Sequence, residues 1–381
     1  MTGWDWLTTY EGYSWGFVLR VLIKATLLFV LFNVIFAILQ PMETLGRMSL
    51  SSQRQRLPYG EDDRAYNLSM NNLPAMFASH EISQPKANDE FRVLLIGDSA
   101  NWGILLRPEE TLAGYLNTEG YQTDDGRTIK AYNIGHPIMS LTKDLMMLDY
   151  AMQYDPDMIV WLTTLESFAL DEQLTPPIVQ NNTERVQHLI ETYSLNLDVE
   201  NAGFIEPSFL DLTIVGQRRE IADWIRLQAF SLMWTVTGID QFYPDDYSLR
   251  SEDFDEDLSW HSFDEPADLT PDDLAFDVIG AGIERVGDVP ILLVNEPMFI
   301  SDGENSDLRY NFWYPRWAYD QYRNLYSQLA DENNWHYLDV WDIIDGAEFT
   351  DSPVHMTPAG SEHFSKIVGQ AIVELKVESE K

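Results

Sequence analysis

Between Phe17 and Leu39 the chain is apolar almost without a break, and Asn33 is the one polar residue in its uninterrupted part. As a helix this run is roughly 35 Å long, enough to cross a bilayer core. Arg20 and Lys24 lie one turn apart near one end, where both side chains can snorkel to the same interface. Trp4, Trp6, Tyr10, Tyr13 and Trp15 precede the run in the manner of an interfacial aromatic belt. No small-residue cleavage site follows, since Gln40-Pro41-Met42-Glu43 is a poor match. The expectation is therefore a retained single-pass anchor over 1–40 rather than a cleaved signal peptide. Arg47, Arg54 and Arg56 balance Arg20 and Lys24 across it. A lone amino-terminal anchor usually presents its domain outside the cytoplasm, and that side is expected here.

Residues 41–90 are polar and rich in turn formers, as in Pro58-Tyr59-Gly60 and Ser83-Gln84-Pro85, and read as a stalk or linker packing partly on the domain. From residue 91 to the end, short apolar runs alternate with helical patterns. Strands are predicted at Val93–Ile96, Ile129–Ile134, Met158–Leu162, Ile291–Asn295 and Trp335–Val340. Helices are predicted near 108–117, 140–153 and 314–333, with a last one after Thr357. Such alternation predicts an α/β domain over 91–381, a parallel sheet with helices on both faces. The stretch 171–273 breaks the rhythm. It carries helical patterns at 182–193 and 210–230, then an acidic, aromatic loop at 241–273. It reads as an insertion between the third and fourth strands, able to act as a lid or substrate wall.

At 381 residues the chain can bury a substantial core. A net charge of −38 excludes a nucleic-acid partner, which needs a basic face. The acids concentrate in 245–273, which reads as a solvated surface. There is no cysteine, so disulfides, thiolate zinc sites and a cysteine nucleophile are excluded. No His/Asp/Glu spacing resembles a metal-ligand set and no glycine loop cradles phosphate, so neither metal nor cofactor is expected.

The chemistry concentrates where the first strand ends, in Leu94-Leu95-Ile96-Gly97-Asp98-Ser99. Ligands of open α/β sheets bind outside the carboxyl ends of the strands. A serine placed there is a nucleophile if a base reaches it. The candidate base is His355, in Asp351-Ser352-Pro353-Val354-His355-Met356-Thr357-Pro358. Thr357 and Pro358 read as the N-cap and first residue of the last helix.

With these two segments the chain resembles the SGNH, or GDSL-type, hydrolases, over roughly 91–377 and outside the insertion. Gly97-Asp98-Ser99 followed by Gly103 matches the first family block in identity and spacing. The resemblance implies a flavodoxin-like sheet, Ser99 as nucleophile and His355 as base. It implies an acid three positions before the histidine, yet Ser352 stands there and Asp351 is one further back. Either the loop bulges to bring Asp351 to the imidazole, or Ser99 and His355 act as a dyad.

The resemblance further implies an oxyanion hole made by the serine N–H, a glycine N–H after the second strand and an asparagine amide after the third. Gly135 or Ile138 aligns with the glycine, while Glu166 stands where the asparagine is expected. A carboxylate cannot donate a hydrogen bond and repels a developing oxyanion. Either burial protonates Glu166, or Thr163 or Thr164 supplies a hydroxyl, or Glu166 holds His136 or a substrate hydroxyl. Asn295 and Glu296 leave the fourth strand on the same edge and are further site-lining candidates. Arg309–Trp317 mixes aromatic and guanidinium groups that suit sugar rings and carboxylates. The function expected is an ester hydrolase acting on an O-acyl group, with an envelope glycan as the substrate that anchor and insertion favour. An O-acyltransferase, or a non-catalytic binding module on the same fold, are the alternatives.

Overall fold

The computed structural model describes residues 14–379. Trp4, Trp6, Tyr10 and Tyr13 of the expected aromatic belt lie outside the described residues. The chain divides into two compact units, residues up to Leu45 with Pro207–Ala222, and Gly46–Glu206 with Asp223–Lys381.

In the first unit, helix α1 runs Trp15–Leu39 and a single further turn, α2, Pro41–Leu45. Ser14 caps α1 by accepting from the Phe17 N–H, and Gln40 ends it in the left-handed conformation ahead of Pro41. The helix is long and apolar enough to cross a membrane. Leu22, Leu27, Leu28 and Phe29 are exposed on it. Asn33 and Ala37 are buried. Asn33 is the polar one of the two. Its amide donates to the Phe29 carbonyl at 2.9 Å and its oxygen accepts the Val215 N–H at 3.4 Å. The 207–222 segment thus satisfies the polar side chain that stands out in the apolar run.

The second unit is the α/β domain. Strands β1 Glu90–Ile96, β2 Thr128–Asn133, β3 Met158–Thr163, β4 Ile291–Asn295 and β5 His336–Asp339 pair in parallel, in the order β2-β1-β3-β4-β5. This is the flavodoxin-like order expected. Its helices are α3 Leu73–Ser79, α4 Ser99–Trp102, α5 Leu112–Glu119, α6 Leu141–Ala151, the short α7 Pro177–Gln180 and α8 Thr183–Tyr193. After these come α9 Arg218–Thr237, which starts in the first unit, then α10 Phe276–Val286, α11 Arg316–Asn333 and α12 Pro358–Ser379. Alternate residues of each strand face opposite cores, which is why the strands read as unbroken apolar runs. Leu94, Ile96, Ile159 and Trp161 face the core shared by α3, α6, α10 and α11, while Val93, Leu95, Val160 and Leu162 face α5 and α12.

Two differences from the sequence reading have clear physical causes. Residues 46–90 are no stalk. Leu57, Leu68, Leu73, Met76 and Phe77 are wholly buried in the main core. Their spacing follows turns and a single helical turn or two, so no period betrays them. The second helix of the insertion begins at Arg218 instead of Leu210, because Ser208 and Asp211 close a turn on each other and Gly216 packs on the Leu210 carbonyl. The insertion itself lies between β3 and β4 as read.

Arg56, from the supposed stalk, is among the most heavily used side chains of the described residues. It is 2 % exposed and pairs with Asp240, equally buried, at 2.6 Å. Its Nη1 donates to the carbonyls of Trp102, Gly103 and Leu106, and its plane lies 4.4 Å over the Trp102 ring. Arg56→Ala leaves the buried Asp240 carboxylate without its ion-pair partner and takes one donor from each of three carbonyls. The variant is expected to lose about 3–5 kcal/mol of stability, read from denaturant unfolding of the detergent-solubilised chain. Arg56→Lys is expected to restore only part of it, because an ammonium cannot span the same acceptors.

Candidate functional site

Ser99 opens α4 directly after β1. Asp98 caps that turn by accepting the Ala100 N–H at 2.8 Å, and Gly103 ends it with φ 86°, returning its N–H to the Ser99 carbonyl. A Cβ on Gly103 would lie 2.5 Å from the Thr111 methyl, so glycine is required there on both counts. The turn is therefore short, rigid and aimed by its own caps.

His355 arrives from the other end of the chain, 256 residues away, and its Nε2 lies 2.9 Å from Ser99 Oγ. Its Nδ1 lies 2.9 Å from Asp351 Oδ1. The four-residue spacing is resolved by a tight hairpin. Phe349 and Met356 form an antiparallel bridge, and the Thr350 N–H donates to the His355 carbonyl at 2.8 Å. Ser352, Pro353 and Val354 make the tip, whose position is fixed by the Phe299 N–H on the Pro353 carbonyl. Asp351 faces the imidazole across this hairpin, while the Ser352 hydroxyl is buried without a partner. Burial pushes the Asp351 carboxyl up, but the His355 hydrogen bond and charge outweigh it, with help from the Thr350 hydroxyl at 3.1 Å. The net shift is below its ordinary value. A serine hydroxyl, an imidazole and an ionised carboxylate thus form one continuous hydrogen-bonded line. That line can draw a proton off Oγ and stabilise the imidazolium that results.

The expected oxyanion donors are placed otherwise. The Gly135 N–H is held by Asn133 Oδ1 at 3.0 Å. A Cβ there would lie 2.7 Å from the Trp102 nitrogen, so Gly135 lets the β2 exit pack against α4. The Ile138 N–H folds back on the His136 carbonyl at 2.6 Å. The Thr164 hydroxyl is bonded to Tyr314 at 2.9 Å and the Thr163 hydroxyl to the Val294 carbonyl. Asn295 is wholly buried, donating to Asp339 and accepting from Tyr319 and Tyr322, and lines no site. Among the described residues the Ser99 backbone N–H is the expected donor without an acceptor.

Glu166 holds a histidine, but the partner is His261 from the insertion and not His136. Glu166 Oε1 lies 3.0 Å from His261 Nε2, and Asp171 lies 3.1 Å from the other ring nitrogen. Burial lowers the His261 pKa, but these two acids more than reverse it and the net shift is upward. Asp171, Glu172 and His261 each offer a metal-type ligand atom within 4.8 Å of one another. The two ring nitrogens are accounted for by the carboxylates. Arg309 likewise serves the fold, donating to the carbonyls of Asp257 and Phe312 and so pinning the acidic loop.

Beneath the nucleophile lies a buried charge cluster that the spacing of residues hid. Lys143 is fully buried on α6, donates to the carbonyls of Gly97 and His136, and pairs with Asp144 at 2.5 Å. Burial raises the Asp144 pKa to about 6 despite that pairing. Asp98 is raised by burial as well. Glu296 is pushed well above its usual value by burial and by the Asp98 and Asp144 charges. Neither of its oxygens has a hydrogen-bond partner among the described residues. The one sequence signal for the cluster was Lys143-Asp144 set among Leu141, Leu145, Met146 and Met147, a charged pair on an otherwise apolar helix.

No protein-family model matches the chain, and no curated protein matches it. Solved structures do. A carbohydrate acetylesterase family member from Sinorhizobium meliloti is 12% identical, with 75% of this chain and 99% of that one covered and a TM-score of 0.31. The M. smegmatis aryl esterase is 12% identical over 74% and 99%, with a TM-score of 0.33. A two-domain esterase active on acetylated mannans is 12% identical over 76% of this chain and 50% of its own, with a TM-score of 0.34. At this distance the chemistry of the chain rests on its own residues.

The His261 clamp makes a pH-dependent prediction. Its raised pKa contributes stability that is complete below the ordinary value of 6.5 and lost as pH rises through the folded value. The stability advantage of the wild type over His261→Asn is expected to shrink between about pH 6 and pH 9, followed by thermal unfolding at each pH. An advantage that does not change with pH would mean that the imidazole is neutral in the clamp.

Proposed function

We propose that the chain is a membrane-anchored serine ester hydrolase of the SGNH type, with Ser99 as nucleophile, His355 as general base and Asp351 as the orienting acid. The observation that carries this reading is the unbroken line from Asp351 through His355 to Ser99. Ser99 Oγ bonds to the ester carbonyl carbon as His355 Nε2 takes its proton. The same proton passes to the departing alcohol when the ester C–O bond breaks. Water, deprotonated in turn by His355, then releases the acid and restores the serine. The Ser99 N–H is the donor available to the oxyanion.

Ser99 and His355 are 8% and 9% exposed, so the ester must reach a largely buried hydroxyl. An acyl ester on an envelope glycan suits a domain tethered to a membrane and lying outside the cytoplasm. An acyl-enzyme of this kind also passes its acyl group to a sugar hydroxyl if one occupies the place of water, which is the transferase variant of the same mechanism.

A fluorophosphonate is expected to label the solubilised chain at Ser99, and Ser99→Ala to abolish the label. Absence of labelling in folded wild-type protein overturns the hydrolase in favour of a binding module. On a short-chain aryl ester, Asp351→Asn is expected to lower turnover by about 10³- to 10⁴-fold with KM little changed, because the imidazole loses its orienting acid. A loss under tenfold would make the site a Ser99–His355 dyad. Turnover of the donor ester, followed by release of its alcohol, that rises with added oligosaccharide assigns the acceptor to sugar; a flat response assigns it to water.

A further inference from the structure

Helix α9 is inside out. The side it turns to the protein carries Gln228 and Ser231 beside Leu227 and Trp234, all buried. The opposite side carries Ile221, Ile225, Ala229, Leu232 and Val236, one stripe at intervals of three and four residues. Ile225, Leu232 and Val236 are 56%, 45% and 84% exposed. Scattered apolar side chains on a surface are ordinary; a continuous stripe on the solvent side of a twenty-residue helix is not.

What covers the stripe is indicated by what lies next to it in the chain. In the unit that contains α1, the segment leading into α9 exposes Phe209, Leu210 and Val215, and its Val215 N–H is bonded to Asn33 of α1. At its other attachment α9 meets the chain soon after it leaves α1. Gln228 accepts the Leu50 N–H at 2.8 Å and donates to the Met48 carbonyl, and Met48 and Leu50 are themselves exposed. Arg218, Arg219 and Arg226 are exposed along α9 and offer guanidinium groups to phosphates, in a chain where acids outnumber bases 62 to 24. An apolar stripe flanked by arginines is the composition of a helix lying in a membrane interface.

We propose that α9 is a second membrane contact, lying along the bilayer surface with Ile225, Leu232 and Val236 among the acyl chains and its arginines at the phosphates. Phe209 and Leu210 enter the same layer. The inference rests on α1 crossing that membrane. Its functional consequence is that the insertion, which also clamps Glu166 through His261, is held at the lipid surface.

The absence of cysteine makes the test direct. Leu232→Cys, Val236→Cys and Leu210→Cys, each in the full chain, are labelled with an environment-sensitive fluorophore and reconstituted in vesicles of mixed zwitterionic and anionic phospholipid. Leu28→Cys in α1 reports the anchor and Asp255→Cys in the acidic loop reports bulk water. Acrylamide serves as the aqueous quencher, because an anionic quencher is repelled by so acidic a protein. The three stripe labels are expected to be quenched several-fold more by nitroxide lipids than the Asp255→Cys label, and several-fold less by acrylamide. Stripe labels that behave like the Asp255→Cys label overturn the proposal whatever α1 does. If only the Leu28→Cys label behaves so, it is the anchor reading that falls. Pyrene excimer emission at Val236→Cys without nitroxide quenching assigns the stripe to a second copy of the chain and also overturns the proposal.

Discussion

The guanidinium of Arg56 is the constraint on which the placement of the site depends. Its donors reach the carbonyls that close the nucleophile helix, and its charge is balanced by Asp240 in the insertion. Gln241 repeats the arrangement from the other side, donating to the Gly103 and Leu106 carbonyls and accepting the Leu105 N–H. Three stretches far apart in sequence are thereby joined at one loop. A buried ion pair earns little net stability over an apolar replacement, but it tolerates few alternative geometries. The value of Arg56 is that the turn carrying Ser99 has one position relative to both.

The same logic operates under the sheet edge. Lys143 gathers the carbonyls of Gly97 and His136, at the exits of β1 and β2, onto one ammonium. Two acids, Asp144 and Asp98, lie close enough to share its field, and burial together with their charges pushes the Glu296 pKa well above its usual value. The interior therefore holds several ionisable groups within one low-dielectric volume directly behind the nucleophile. Trp161, itself wholly buried, donates to Asp144 and ties this cluster to the third strand.

Much of this was legible from residues alone. Strands β1, β3 and β4 are buried on both faces, so their apolar runs announce them, and the Gly-Asp-Ser turn announces the strand end where Ser99 sits. His355 was legible through the helix start that follows it. The acid was ambiguous because spacing along a loop does not reveal a hairpin; Asp351 and His355 become neighbours only when Thr350 pairs across it. Residues 46–90 were misread because their buried residues follow no period. The oxyanion donor Gly135 and the site-lining candidate Asn295 were misplaced for a different reason. Gly135 and Asn295 are at the right strand ends, but their polar groups are consumed by Asn133, Asp339, Tyr319 and Tyr322, partners that no spacing rule identifies. His261 was invisible for a similar reason, since it meets Glu166 across 95 intervening positions.

The hairpin that unites Asp351 and His355 has a mechanical consequence. Acid and base are spaced by their own short loop, braced at its foot by Thr357 on Glu348. Nothing elsewhere in the protein can change the distance between them without first breaking that loop. Ser99 is held separately, by the caps of its own turn and by Arg56, within the same compact unit. The proton path therefore contains a single joint, the gap between hydroxyl and imidazole. A displacement of the nucleophile turn against the hairpin acts on that joint first, as a contact breaker does in a circuit.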